Sequence, residues 1–368
     1  MAKDRDEIVR RVNINSVNPG DIIAKPIYSE NGSVLLSVGK ELNATYIQRL
    51  RTMGIDMVFI EDSQTSNIFP DEIISEETRR NATLTIQKTM STLVEKEGVV
   101  GLAASPKIGS IFRKVCGDIM KDISLRKDIM VNLQQLYVKD DYLFHQSINV
   151  TVLAMMIGIA KGYSKSQIED LGMGSLLFDI GMVKMPKYLW NKKKALTFEE
   201  HALIKNHTLT GYQVLTTQAD IEPTSARCAL EHHERYDGSG YPYGTKGNDI
   251  HEFSQIIAIA DVYSALTSLR IYRHRFTPSE AIEYLLATGN SHFNLDLIKL
   301  FCSQISIYPV ASTVMLNTGE VGVVSTINPT SVHRPIIRIV KDSSGAPMRS
   351  FREVDLFKNL NVTIINSV

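Results

Sequence analysis

The chain has 368 residues, 43% of them apolar and 22% charged, a globular composition long enough for two or three cores and unlike a low-complexity or disordered class. Lys plus Arg number 40 against 40 Asp plus Glu, so no overall field favours nucleic acid or an anionic membrane, and an anionic ligand needs a local cluster. Cys116, Cys228 and Cys302 form no CxxC pair, which argues against a disulfide framework and fits a reducing compartment. The opening "MAKDRDEIVRRVNI" has no apolar h-region, and no apolar stretch reaches about 18 residues. A cytoplasmic protein without membrane insertion is expected.

In chain order, residues 1–65 read as a small α/β or β-rich unit. "VNPGD", "SENGS" and "SVGKEL" mark reversals between short β-branched runs. "NATYIQRLRTMGI" spaces Tyr46, Ile47, Leu50 and Met53 as a helix, and "DMVFIED" reads as a strand. Residues 66–105 read as a polar linker and a helix. Residues 106–307 show helical periodicity throughout. "YLFHQSINVTVLAMMIGIAKGY" is apolar on all sides, as a buried central helix requires. "LGMGSLLFDI" reads as an apolar helix with one acid, Asp179, inside it, and Thr197 with Glu200 forms a capping-box pattern. "PSEAIEYLLATG" carries Pro at its start and Gly at its end. Residues 308–368 return to strands, with Gly319 and Gly322 at hairpin or bulge positions of a small antiparallel β unit. The expected fold is mainly α: a helical bundle flanked by a small N-terminal α/β unit and a small C-terminal β unit.

Metal-type ligands gather only in the middle segment. His232 and His233 are adjacent in "EHHERYDGSGYP", and neighbours on a helix point about 100° apart. The "DGSGYP" turn that follows puts both at a helix end, where they can share an ion. His207 lies one helix upstream, and Asp179 and Asp261 each sit in apolar runs. Buried carboxylates need a partner or a metal, and two of them beside three imidazoles favour metal.

These strings resemble the HD-GYP family, the cyclic-di-GMP phosphodiesterases within the HD superfamily of metal-dependent phosphohydrolases. The resemblance runs from Tyr142 to Phe301 and is carried by "HHERYDGSGYP", "LTFEEHALIKNH", "IAIADVYSALTS" and "RIYR". It implies an all-helical domain holding two, sometimes three, iron or manganese ions. By the same resemblance Asp179, His207, His232, His233 and Asp261 are metal ligands, with Asp179 at the catalytic centre. Arg270, Arg273 and Tyr241 contact the dinucleotide.

The sequence departs from the family at three positions. The helix that reads His-Asp-Ile-Gly-Lys in the family reads "FDIGM" here, with Phe178 for the histidine and Met182 for the lysine. Gln146 stands at a second ligand histidine, and His145 is one residue off. Both lost histidines belong to one ion of the pair, so that half is crippled. The other set, His207, His232, His233 and bridging Asp179, is complete and suits at most one tightly bound divalent transition metal: iron, manganese or zinc. A two-metal hydrolase needs both ions to form a hydroxide and clamp the phosphoryl oxygens. The expectation is a degenerate cyclic-di-GMP sensor or adaptor with weak or no hydrolysis. An active phosphodiesterase and a scaffold that binds no nucleotide are the alternatives. Expected partners are cyclic-di-GMP or its linear product, signalling proteins and a second copy of the chain, without DNA or RNA.

Overall fold

The computed structural model describes residues 8–28, 34–53, 55, 57–66, 68, 73–95, 108–124, 142–190, 192, 195–218, 220–268, 276–328 and 330–367. The chain divides into two units, the first drawing on both ends of the sequence and the second on its middle.

In the first unit β1 (Ile8–Asn13) pairs antiparallel with β4 (Met57–Ser66), with Val12 opposite Val58. Alternation along the strands sends Val12, Val58 and Ile60 to one core, where Ile47 and Leu50 of α1 (Ala44–Thr52) join them. Asn43 caps that helix by accepting the Tyr46 N–H. The short strands β2 (Ile27–Tyr28) and β3 (Val34–Leu36) pair beside them. The C-terminal strands are β5 (Thr313–Leu316), β6 (Val321–Thr326), β7 (Ile336–Lys341), β8 (Pro347–Asp355) and β9 (Ile364–Ser367). They form an antiparallel sheet ordered β8-β7-β6-β5-β9, with Gly319 in the β5–β6 turn at φ +83° and a bulge at Gly322.

The two ends, expected as separate units, meet within this first unit. The Arg11 N–H donates to the Ala311 carbonyl at 2.8 Å, and the Thr313 hydroxyl donates to the Arg11 carbonyl at 2.9 Å. Ile68, Ala311, Val323 and Val340 share one apolar cluster. Such long-range pairing leaves no periodic trace in either segment alone.

The second unit is helical. Its elements are α2 (Glu76–Glu95), α3 (Ile108–Ser124), α4 (Tyr142–Lys161), α5 (Lys165–Leu177), a 3-10 turn (Ile180–Lys184), a single helical turn (Lys187–Trp190), α6 (Phe198–Lys205), α7 (His207–Thr216), α8 (Pro223–Glu231), α9 (Glu252–Thr267), α10 (Pro278–Ala287) and α11 (Leu295–Gln304). The first helix, read as part of a linker region, belongs to this unit and packs on α3 and α4. As its composition predicts, α4 is central: the run from Val150 to Ile157 is buried without a break. Packed against it are α5 and α9, and α8 packs on α5, α7 and α9. Capping boxes start α5 (Ser164 with Gln167), α6 (Thr197 with Glu200) and α10 (Thr277 with Glu280). Among the described residues no helix is long and apolar enough to cross a membrane.

Candidate metal centre

Asp179 does not sit inside a helix as its apolar surroundings suggest. The last residue of α5 is Leu177, Phe178 is its C-cap, and Asp179 (φ −97°, ψ 12°) precedes the 3-10 turn. Gly181 accounts for this break. A Cβ there would lie 1.9 Å from the His207 carbonyl oxygen and 2.6 Å from the Gly211 nitrogen, so the turn touches the backbone of α7 where only glycine fits. That contact brings Asp179 beside His207, the first residue of α7. The third and fourth groups come from the end of α8, where His232 is the C-cap and His233 follows in the turn. The helix-end placement expected for the adjacent histidines is what the structure has.

One ligand atom from each of Asp179, His207, His232 and His233 falls within 4.8 Å of all the others. The Nε2 atoms of His207 and His232 are 3.2 Å apart, and they lie 3.3 and 3.6 Å from Asp179 Oδ1. The far side of each ring fixes its tautomer. His207 Nδ1 is 2.7 Å from the Ile204 carbonyl, and His232 Nδ1 is 3.0 Å from that of Cys228 and 3.1 Å from that of Ala229. Carbonyl oxygens only accept, so both Nδ1 atoms carry protons, and in the neutral rings both Nε2 atoms turn lone pairs toward one carboxylate. Such a set requires a cation or an added proton at its centre.

Electrostatics agree. Burial pushes the Asp179 carboxyl up, but when His207 and His232 take a proton at Nε2 their hydrogen bonds and charge outweigh it and hold the group well below the carboxylate range. His207 is lowered by burial and raised more strongly by Asp179, for a net rise. Burial first, then the neighbouring His232 and His207, keep His233 far below the usual imidazole value. An ionised carboxylate among imidazoles, at least one of them neutral, fits a divalent transition metal by donor type and number.

Asp261 is not among the four converging groups. Its Oδ1 accepts the Gln146 amide N–H at 2.7 Å, and its backbone carbonyl lies 3.2 Å from the same nitrogen. Gln146 Oε1, the one atom of that side chain that could ligate, accepts from the Ser264 hydroxyl at 2.9 Å. With two oxygens facing its nitrogen, the amide orientation follows from hydrogen bonding, and the oxygen turns to Ser264. Phe178, 1% exposed, meets the His232 ring edge-on with centroids 4.9 Å apart. Met182 lies in the 3-10 turn, part-buried. Arg270 and Arg273 lie outside the described residues. His145 belongs to the first turn of α4, and its side chain is likewise outside them.

Tyr241 borders the cluster. Its ring stacks on His233 with centroids 4.7 Å apart at 26°, and its N–H donates to the His233 carbonyl at 3.2 Å. Gly240 makes this fold-back possible: a Cβ there would lie 2.3 Å from the Arg235 nitrogen and 2.5 Å from the His233 oxygen. Glu234, 3% exposed, secures the loop from below by accepting the N–H groups of Tyr243 and Gly244 at 2.8 and 3.1 Å. Reading by sequence overlooked Glu234, Gly181 and Ser264. Ser264 stands three residues after Asp261, one turn along the same helix face, which was the available signal. The other two act through contacts that carry no spacing rule.

Residues 119–297 match the HD domain family, and residues 313–368 match a KOW domain associated with the HD domain. The chain is 30% identical over 277 residues to a cyclic di-GMP phosphodiesterase of Pseudomonas aeruginosa, a span of 73% of this chain and 65% of that protein. It is 28% identical over 225 residues to the cyclic di-GMP phosphodiesterase PdeB of Borreliella burgdorferi, covering 61% of this chain and 59% of the relative. With the cyclic di-GMP phosphodiesterase response regulator RpfG of Xanthomonas campestris pv. campestris it shares 37% identity over 143 residues, 39% of this chain and 38% of the relative. The chain thus spans less than two thirds of the length of each. An HD domain over the helical unit, a four-residue His/Asp cluster inside it and an intact GYP loop stacked on that cluster all fall together, and the chain belongs to the HD-GYP family.

Proposed function

We propose that this protein is a cyclic-di-GMP sensor or adaptor that holds at most one transition metal and hydrolyses the dinucleotide weakly or not at all. One observation carries the reading: Gln146 hydrogen-bonds the Asp261 carboxylate with its nitrogen while its oxygen is taken by Ser264. Asp261 and residue 146 are both positions that, by resemblance, serve one ion of the family pair, and here they satisfy each other.

Asp179, His207, His232 and His233 would hold the remaining ion. When bound, it would supply Lewis-acid polarisation of a phosphoryl oxygen. The rest of the site is the chain's own work. Backbone carbonyls of Ile204, Cys228 and Ala229 orient His207 and His232 through their Nδ1 protons. The Phe178 ring fills space against His232 and keeps water from its buried edge. Tyr241, stacked on His233, forms an aromatic border to the cluster. Arg270 and Arg273 are expected to pair with the phosphates. The three cysteines are free, in keeping with a reducing, cytoplasmic setting.

An active phosphodiesterase is the second reading, favoured by the names of the relatives and by the completeness of the four-residue cluster. Metal content, cyclic-di-GMP affinity and cyclic-di-GMP turnover, measured on one preparation purified without chelators, decide between them. The sensor reading expects one ion or fewer per chain, measurable binding and negligible turnover. Two ions with robust turnover would replace it by the second reading, and absence of binding would leave only a scaffold.

A further inference from the structure

Lys205 is the last residue of α6, exposed, and two positions before the ligand-type His207. Its Nζ stands over the Tyr241 ring, 5.0 Å from the centroid. That ring stacks on His233, and His233 belongs to the His/Asp cluster. An ammonium, a phenol ring and an imidazole therefore form one series that ends at the candidate metal centre. The long, flexible lysine chain is held near the cluster by the ring's negative face. A cation–π contact orients an ammonium without neutralising it. No carboxylate pairs with Lys205 among the described residues, so its three N–H donors remain available for an anion.

We infer that Lys205, held by Tyr241, grips a phosphate of the cyclic dinucleotide at the edge of the metal centre and is a ligand-binding residue. The inference rests on the reading that the site takes cyclic-di-GMP. The geometry favours phosphate over a base edge, because the ammonium is a point donor with no acceptor and the Tyr241 ring is already engaged by His233 and Lys205. It gives Tyr241 a part in binding apart from any contact of its own: the ring sets where the charge stands.

The test is calorimetric titration of cyclic-di-GMP into the metal-loaded full chain at two ionic strengths. Wild type is compared with Lys205→Gln, Lys205→Arg and Tyr241→Leu, with metal content measured on each. Lys205→Gln should weaken binding about tenfold, as loss of a charge-assisted phosphate contact does, and should flatten the salt dependence. Lys205→Arg should keep both within about threefold. Tyr241→Leu should weaken binding although it removes no charge. Wild-type binding left within twofold by Lys205→Gln, or weakened with unchanged salt dependence, would overturn the inference while the sensor reading stands. Wild type that binds no cyclic-di-GMP would overturn the sensor reading itself, and this inference with it.

Discussion

Replacing Gln146 by leucine separates a hydrogen-bonding clamp from a metal ligand. The side chain is 3% exposed, donates to Asp261 and accepts from Ser264. Leucine keeps the bulk and removes both bonds. The bond to the carboxylate is worth about 1.5–3 kcal/mol and the neutral one about 0.5–1.5 kcal/mol. Greater burial of apolar surface returns about 1 kcal/mol. Asp261 is only part-buried and retains other interactions, which places the loss at the low end. The balance is a destabilisation of about 2 kcal/mol, or roughly 4–8 °C in melting temperature for a unit of this size. The assay is thermal unfolding of chelator-treated wild type and Gln146→Leu, paired with metal content of the untreated proteins. The clamp predicts a lower melting temperature with metal content unchanged. An unchanged melting temperature together with lost metal would make Gln146 a ligand and refute the reasoning.

Gly181→Ala forces a Cβ against the α7 backbone, so it should cost about 3 kcal/mol and weaken metal affinity at least tenfold, read by unfolding and by metal titration. Metal affinity should keep rising with pH above about 6.5, because the raised His207 still holds a proton there that the ion must displace; a flat profile between pH 6 and 8 would contradict that order of events. Phe178→His buries a polar ring at a site 1% exposed, costing about 1–3 kcal/mol, and should leave the metal content at one or below because Gln146 still engages Asp261. Only the double change with Gln146→His should raise it toward two, as measured by plasma emission.

Much of the helical unit was legible because its signals are local. The all-round apolar α4, the capping box of α6, the N-terminal Pro of α10 and the helix end at His232 follow from periodicity and a few side-chain types. The His/Asp cluster was legible because one dense motif carries two of its four members and two further strings carry the others. Asp179 was misread as mid-helix because its flanks are apolar on both sides; the break comes from Gly181 meeting α7, a contact between segments that sequence order keeps about 26 positions apart. The merging of the two chain ends into one unit was invisible for the same reason, since Arg11 and Ala311 meet only in the fold.

The two carboxylates of the site illustrate how burial is answered in different ways. A buried acid must find a cation or hydrogen-bond donors. Asp261 receives donors: the Gln146 nitrogen lies near both its side-chain and its backbone oxygen, and the Gln146 oxygen is anchored in turn by Ser264. This arrangement needs no ion and would be disrupted by one, since ligation would have to break the amide contact. Asp179 faces two Nε2 atoms whose rings already spend their Nδ1 protons on backbone carbonyls, so in the neutral state it meets lone pairs and no donor. It can be satisfied only by protonating an imidazole or by admitting a cation. A chelator should therefore act on one carboxylate and spare the other: removing metal lowers the melting temperature of wild type, and the further loss from Gln146→Leu has the same size with and without metal. Additivity of the two perturbations is the signature of a closed half and an open half in one site, whereas a pair of ions sharing both acids would make them strongly coupled.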